Sequence, residues 1–289
     1  MYLKPGTSEE AVQILLEHKG NARIIGGGTE LHELAQRGFA SDIKVLVDLQ
    51  RLRLNYLSKE NGRLRIGAST TLTDLLRSDM VRVEPVYGAL SDALNVIRPV
   101  QVRNMATVAG AICSALPFFD LPVALCSLGA QMKVLGSKGE RLVSLERFLQ
   151  DYFQVDLKEG EFVAEIVIPS IGERSVSAFE KFSLTADDWA LVNCSVTLTV
   201  DDDLSCNEVR IALGGEVGST PKRAHEMEEW LKGKKLTENL IAEGSGRVRS
   251  DIEPISDIRG SADYRQSIAE VLVARTVSKA VRRFGEVSL

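Results

Sequence analysis

The chain is poor in the residues that usually hold metals. Its 289 residues include four cysteines and three histidines. Cys113, Cys126, Cys194 and Cys206 form no C-x-x-C pair, whereas iron–sulfur clusters and structural zinc draw their thiolates from clustered positions. So few cysteines in so long a chain also argue against a disulfide framework. The four read instead as small buried hydrophobes. His18, His32 and His225 are scattered, with no metal-ligand spacing. No apolar run approaches a membrane span in length. There is no Lys/Arg block and the formal net charge is −5, which argues against a nucleic-acid partner. Met1–Glu10 lacks the charged-then-apolar pattern of a signal peptide, which predicts a cytoplasmic location. No His–Asp or Cys–His arrangement offers a general base or an activated nucleophile.

What is present suits a globular protein. A 44% hydrophobic fraction with 26% charged residues can bury sizeable cores, and the length suggests about two domains. Thr7 and Glu10 form a T-x-x-E capping box before a helix closed by Gly20. Ala22–Ile25 reads as a buried strand, and Thr29 as the cap of a second helix ending near Gly38. A strand at 45–48 follows, then a hairpin of strands at 53–57 and 64–66 turning at Glu60-Asn61-Gly62. Helices are expected over 71–77, 85–97 and 119–128, and strands at 133–135, 141–143 and 162–168. The stretch 107–115 reads as a small-residue loop. Beyond residue 170 the expected strands are 175–183, 191–200 and 209–213. Helices are expected over 222–232, 237–248 and 264–284. The pattern is α+β, with a three- or four-stranded antiparallel sheet packed by helices in the second half.

Two stretches could carry chemistry. In Ile24-Ile25-Gly26-Gly27-Gly28-Thr29-Glu30 a strand runs into glycines and then a helix. Glycines let the backbone turn with positive φ and approach a ligand closely, and successive amides at a helix start make an anion cradle suited to a diphosphate. The spacing is neither G-x-G-x-x-G nor a P-loop. The second stretch is Arg103-Asn104-Met105-Ala106-Thr107-Val108-Ala109-Gly110-Ala111, again small, with a hydroxyl at Thr107. Asp120 follows, a carboxylate able to accept from ribose hydroxyls.

Together these two stretches resemble the flavoprotein subunits of the xanthine dehydrogenase and carbon monoxide dehydrogenase family. So do Arg65-Ile66-Gly67-Ala68-Ser69-Thr70-Thr71, Glu165-Ile166-Val167-Ile168-Pro169, Ala212-Leu213-Gly214-Gly215, Thr220-Pro221-Lys222-Arg223-Ala224 and Asp257–Arg265. The series runs in order along nearly the whole chain. The resemblance implies a vanillyl-alcohol-oxidase-like (PCMH-type) FAD-binding domain over 1–170, with subdomains of about 1–52 and 53–170. A C-terminal flavoprotein-subunit domain would cover 171–289. It implies non-covalent FAD, with the amides of Gly26, Gly27, Gly28, Thr29 and Glu30 on the pyrophosphate and Thr107 and Gly110 as a second wall. Asp120 would meet the ribose or ribityl chain, and Val163 the flavin or adenine through its backbone. Lys181 and Trp189 would lie near the isoalloxazine ring.

The implied partners are a large subunit with the molybdenum cofactor and a small subunit with two 2Fe–2S clusters, assembled as a dimer of heterotrimers. The implied role is electron transfer from those clusters through FAD to NAD, a quinone or oxygen. Two departures stand out: Ala109 and Ala111 replace a glycine and an asparagine of the family pattern. Two alternatives stay open: a stand-alone FAD-dependent oxidoreductase of the same fold and, suggested by Ala109 and Ala111, a non-catalytic assembly module with a decayed FAD site.

Overall fold

A computed structural model describes residues 1–287. They divide into two compact units. The first comprises 1–75, 99–115 and 130–169; the second comprises 76–98, 116–129 and, of the described residues, 170–287.

The first unit is built on two sheets. Tyr2–Leu3, Val45–Asp48 and Ala22–Ile25 form a parallel sheet with Val45–Asp48 in the middle. Parallel neighbours need crossovers, and the helices Ser8–Glu17 and Thr29–Gln36 supply them. The first helix is capped as its sequence predicts: Thr7 accepts from the Glu10 amide at 3.2 Å, while the Glu10 carboxylate reaches back to the Gly6 amide at 2.6 Å. Its buried Ala11 and Val12 pack with Val45, Val47, Phe162 and Ala164. The second sheet is antiparallel, in the order Leu57–Glu60, Arg63–Gly67, Phe162–Ile168, Gln131–Gly136, Gly139–Ser144. The first pair turns through Asn61 at φ 50° and Gly62 at φ 74°, the backbone that an Asn-Gly hairpin requires.

The second unit holds an antiparallel sheet whose strands follow chain order: Ser175–Phe182, Val192–Val200, Cys206–Gly215 and Lys222–Arg223. Both faces of its second strand are buried. Val192, Cys194, Val196, Leu198 and Val200 pack with Leu272, Val273, Val277 and Ala280 of the helix Ala262–Val287. The alternate residues Asn193, Ser195 and Thr197 are buried and polar. Ser195 and Thr197 hydrogen-bond the Ser127 hydroxyl at 2.7 and 3.2 Å. Ser127 ends the helix Asp120–Ser127, which lies on that face.

Five local expectations change. The strand expected at 53–57 runs instead over Leu57–Glu60, because Arg53 still closes the 3-10 turn Leu49–Leu52. Gly28, not Thr29, precedes the second helix: Gly28 takes φ +70°, and Thr29 is already helical. The stretch 107–115 contains a helix, Val108–Cys113, capped by Thr107. The expected helix over 222–232 begins as a short strand pairing with Ala212–Leu213, and becomes helical only at His225–Leu231. The helix expected over 237–248 is helical at Glu238–Gly244 and tightens to a 3-10 turn over Ser245–Ser250. Among the described residues no helix is long and apolar enough to cross a membrane.

All four cysteines carry free thiols. Burial pushes the thiols of Cys113, Cys194 and Cys206 up to about 12. Only the thiolate attacks a disulfide reagent, so these thiols should react roughly a thousandfold more slowly than a free one at mildly alkaline pH. The expected result is negligible labelling of the native chain and full labelling after unfolding. Rapid modification of the fully buried Cys194 or Cys206 would show that the native fold opens readily.

Candidate functional site

The first unit brings the two small-residue stretches together. The strand Ala22–Ile25 delivers the chain into Gly26–Gly28. A Cβ at Gly26 would lie 2.6 Å from Thr107 Oγ1, and one at Gly27 would lie 1.6 Å from the Met105 carbonyl oxygen. Only glycine permits that approach. Thr107 has extended backbone, and its hydroxyl accepts from the Gly110 amide at 3.2 Å. The same hydroxyl would meet a Cβ at Gly110 at 2.9 Å. Residues about eighty positions apart thus make one corner.

The corner is rich in unused donors. Among the described residues the amides of Gly27, Gly28, Thr29 and Glu30 donate no hydrogen bond. They lie at the start of a two-turn helix, whose dipole adds positive potential. Four unpaired amides beside side-chain-free backbone fit a diphosphate such as that of FAD. Glu30 is half-buried, and burial together with the charge of Glu33 raises its carboxyl above the usual range. Ala109 is buried and donates its amide to Ala68. Its methyl is therefore accommodated by the fold.

Val163 is buried on the strand Phe162–Ile168, where the register against Gln131–Gly136 shifts between Val163 and Glu165. Beside it lies a buried charge. Glu165 is 1% exposed and accepts from Tyr56 Oη at 2.5 Å and from Arg65 Nε at 3.0 Å. Burial and the Glu165 carboxylate push the Tyr56 phenol well above its usual range.

The second unit assembles a different group. Asp120 opens the helix Asp120–Ser127, and Lys181 and Asn193 stand directly opposite each other on paired antiparallel strands. Lys181 Nζ lies 3.0 Å from Asp120 Oδ2, and Asn193 Nδ2 donates to Asp120 Oδ1 at 2.8 Å. Burial raises the Asp120 carboxyl, against the pull of Lys181 and Asn193. The side chains of Lys181 and Asp120 are 8% and 5% exposed. Lys181 is thus no surface lysine. Trp189 is no core aromatic: it is 47% exposed and stacks on Phe118 with ring centroids 4.5 Å apart. Asn193 is a member that sequence reasoning missed. Its one signal is a polar residue inside the apolar run Leu191-Val192-Asn193-Cys194.

Comparison with known proteins gives the family. The family described as the FAD binding domain in molybdopterin dehydrogenase matches residues 1–171, and the CO dehydrogenase flavoprotein C-terminal domain matches 177–280. The glyceraldehyde dehydrogenase medium chain of Sulfolobus acidocaldarius is 33% identical over 276 residues, covering 95% of each chain. The carbon monoxide dehydrogenase medium chain of Hydrogenophaga pseudoflava is 29% identical, covering 98% of this chain and 97% of its own. A solved structure of carbon monoxide dehydrogenase from that organism, lacking the Mo-pyranopterin moiety of its cofactor, superposes with a TM-score of 0.91 at 30% identity. It covers 98% of this chain and 97% of its own. With its α+β architecture, its glycine corner and both matched domains, the chain belongs to the FAD-binding medium subunits of the xanthine dehydrogenase and carbon monoxide dehydrogenase family of molybdenum hydroxylases.

Proposed function

We propose that this chain takes electrons from two 2Fe–2S clusters on a small partner subunit and passes them to an acceptor such as NAD, a quinone or oxygen. A large subunit with the molybdenum cofactor would oxidise the substrate, so substrate choice would lie outside this chain. The observation that carries the reading is the meeting of Gly26–Gly28 with Met105–Thr107 beside four unpaired amides. FAD, when bound, supplies a carrier that accepts single electrons and can release a hydride pair.

The chain's own residues bind and orient. The amides of Gly26, Gly27, Gly28, Thr29 and Glu30 would hold the pyrophosphate, with Thr107 and Gly110 as the facing wall. Val163 would contribute backbone. Asp120 would serve the ribityl side, through lone pairs that Lys181 and Asn193 leave free. Lys181 would lie near the isoalloxazine, its positive charge favouring the reduced flavin to the extent that Asp120 leaves it uncompensated. Trp189, with one face on Phe118, has an indole face left to cover the ring and exclude water. In sequence, the FAD-binding part would run to about residue 170, and the complex would be a cytoplasmic dimer of heterotrimers.

The test is a visible spectrum and an acid-release assay on the chain purified with its partner subunits. The expected result is an oxidised-flavin spectrum and about one FAD per chain. A complex that is colourless and stays so after incubation with FAD would bring the assembly-module alternative forward. Turnover by this chain alone would favour the stand-alone oxidoreductase.

A further inference from the structure

We propose that Asn193 is a positioning residue: it holds the Asp120 carboxylate ionised beside Lys181, and so sets the charge that this group presents to FAD. The inference rests on the reading above that Lys181 lies within electrostatic reach of the flavin.

The geometry divides the carboxylate between two donors, Asn193 Nδ2 on Oδ1 and Lys181 Nζ on Oδ2. Asp120 is the first residue of its helix, where the dipole also favours a negative charge. The telling atom is Asn193 Oδ1. Asn193 is fully buried, and among the described residues this oxygen has no hydrogen-bond partner. A buried acceptor without a donor is unfavourable. Flipping the amide would set its oxygen against a carboxylate oxygen, a contact that only a protonated Asp120 could satisfy. The orphaned oxygen is therefore the cost of turning the amide donor toward Asp120, an orientation that favours the ionised carboxylate.

Among the described residues Lys181 is the charge that acts on Asp120. Asp92, on the helix Gly88–Val96, is paired with Lys279 and Arg283. Glu180, beside Lys181 in sequence, pairs with Arg275. On the strand Cys206–Gly215 the charged residues are Glu208 and Arg210, and Arg210 donates to the Cys126 carbonyl at the far end of the helix. Asp120 and Lys181 then cancel, and the pair presents little net charge. Without the Asn193 donor the carboxylate retains its proton to higher pH. Below that point Lys181 stands uncompensated, and an uncompensated cation raises the flavin potential.

The experiment is a spectroelectrochemical titration of FAD in the assembled complex, from mildly acidic to mildly alkaline pH, for wild type, Asn193→Ala and Asp120→Asn. Asp120→Asn should raise the potential at every pH. Asn193→Ala should match wild type at alkaline pH and climb toward Asp120→Asn as pH falls. A merely structural role for Asn193 would not produce that pH-dependent offset. If Asp120→Asn shifts the potential while Asn193→Ala tracks wild type throughout, the inference is overturned. If Asp120→Asn itself shifts nothing, the flavin is out of reach of this charge, and the placement of Lys181 falls along with the inference. Should Asn193→Ala lose FAD, Asn193→Ser is read in its place. Loss of FAD from both, with Asp120→Asn retaining it, would make Asn193 a residue of the fold and overturn the proposal.

Discussion

Gly27→Ala is expected to abolish FAD binding. The added Cβ would lie 1.6 Å from the Met105 carbonyl oxygen, 2.3 Å from its carbon and 2.8 Å from the Ala106 nitrogen. All three are backbone atoms, so no side chain can turn aside and the two loops must separate. Ordinary overpacking costs about 1–3 kcal/mol, occasionally more, and this clash lies at the severe end. The corner that aligns the amides would be lost with it. A loss of about 4 kcal/mol in binding is a roughly thousandfold weaker Kd, enough to yield a colourless chain. Gly20→Ala is the control. Gly20 also has positive φ, 69°, but nothing lies within 4 Å of its added Cβ, so it should cost only about 1–2 kcal/mol in stability and leave the FAD content intact. A Gly27→Ala protein with full flavin would refute the assignment of this corner to the pyrophosphate.

Arg65→Met should be the most destabilising single change at a polar group in the first unit. It leaves the Glu165 carboxylate, 1% exposed, with only the Tyr56 hydroxyl. Removing one partner of a buried pair costs about 3–5 kcal/mol, because the remaining charge is left unpaired. Arg65 is one-third exposed, so the lower end applies, about 3 kcal/mol. At roughly 2–4 °C per kcal/mol, that is a fall of about 6–12 °C in Tm. Replacing both residues, as Arg65→Met with Glu165→Leu, should recover most of it, since an apolar pair needs no compensation. The check is thermal unfolding of the three variants. A double variant no better than Arg65→Met alone would show that the carboxylate is needed for more than balancing Arg65. The register shift at Val163/Glu165 is then the place to look.

How much of this was legible in the sequence depended on the range of the forces involved. The capping box at Thr7 and the hairpin at Asn61-Gly62 are local. Their residues determine φ or fill an orphan hydrogen bond within three or four positions; the cap and the turn were read correctly, while the strand before the turn was placed too early. The helix Val108–Cys113 was not, because six small residues show no apolar period. Its cap, Thr107, gains meaning only beside Gly26. The start of the second helix was placed one residue late, because a threonine suggests a side-chain cap, whereas Gly28 turns the chain with a left-handed backbone and leaves the first amides unpaired. Lys222–Arg223 carried no strand signal of its own; pairing with Ala212–Leu213 imposes it. In the site, the pairing of Gly26–Gly28 with Thr107 and Gly110 came from the family resemblance, since each stretch alone reads as a tight turn or a small-residue loop. Asn193 did not, since its role comes from register: only pairing of the strands Ser175–Phe182 and Val192–Val200 puts it opposite Lys181.

The makeup of the second unit bears on how the chain is made. Its segments 76–98 and 116–129 are synthesised well before the strands at 175–215 that they pack against. At roughly 5–20 residues per second, the ribosome takes on the order of 4–17 s to go from residue 129 to residue 215. For that interval Leu90, Leu94, Leu121 and Leu125, all 1% exposed or less in the finished fold, have no sheet to cover them. A nascent chain halted near residue 170 is thus a natural client for a chaperone. A fragment cut there for expression would carry the same uncovered leucines permanently.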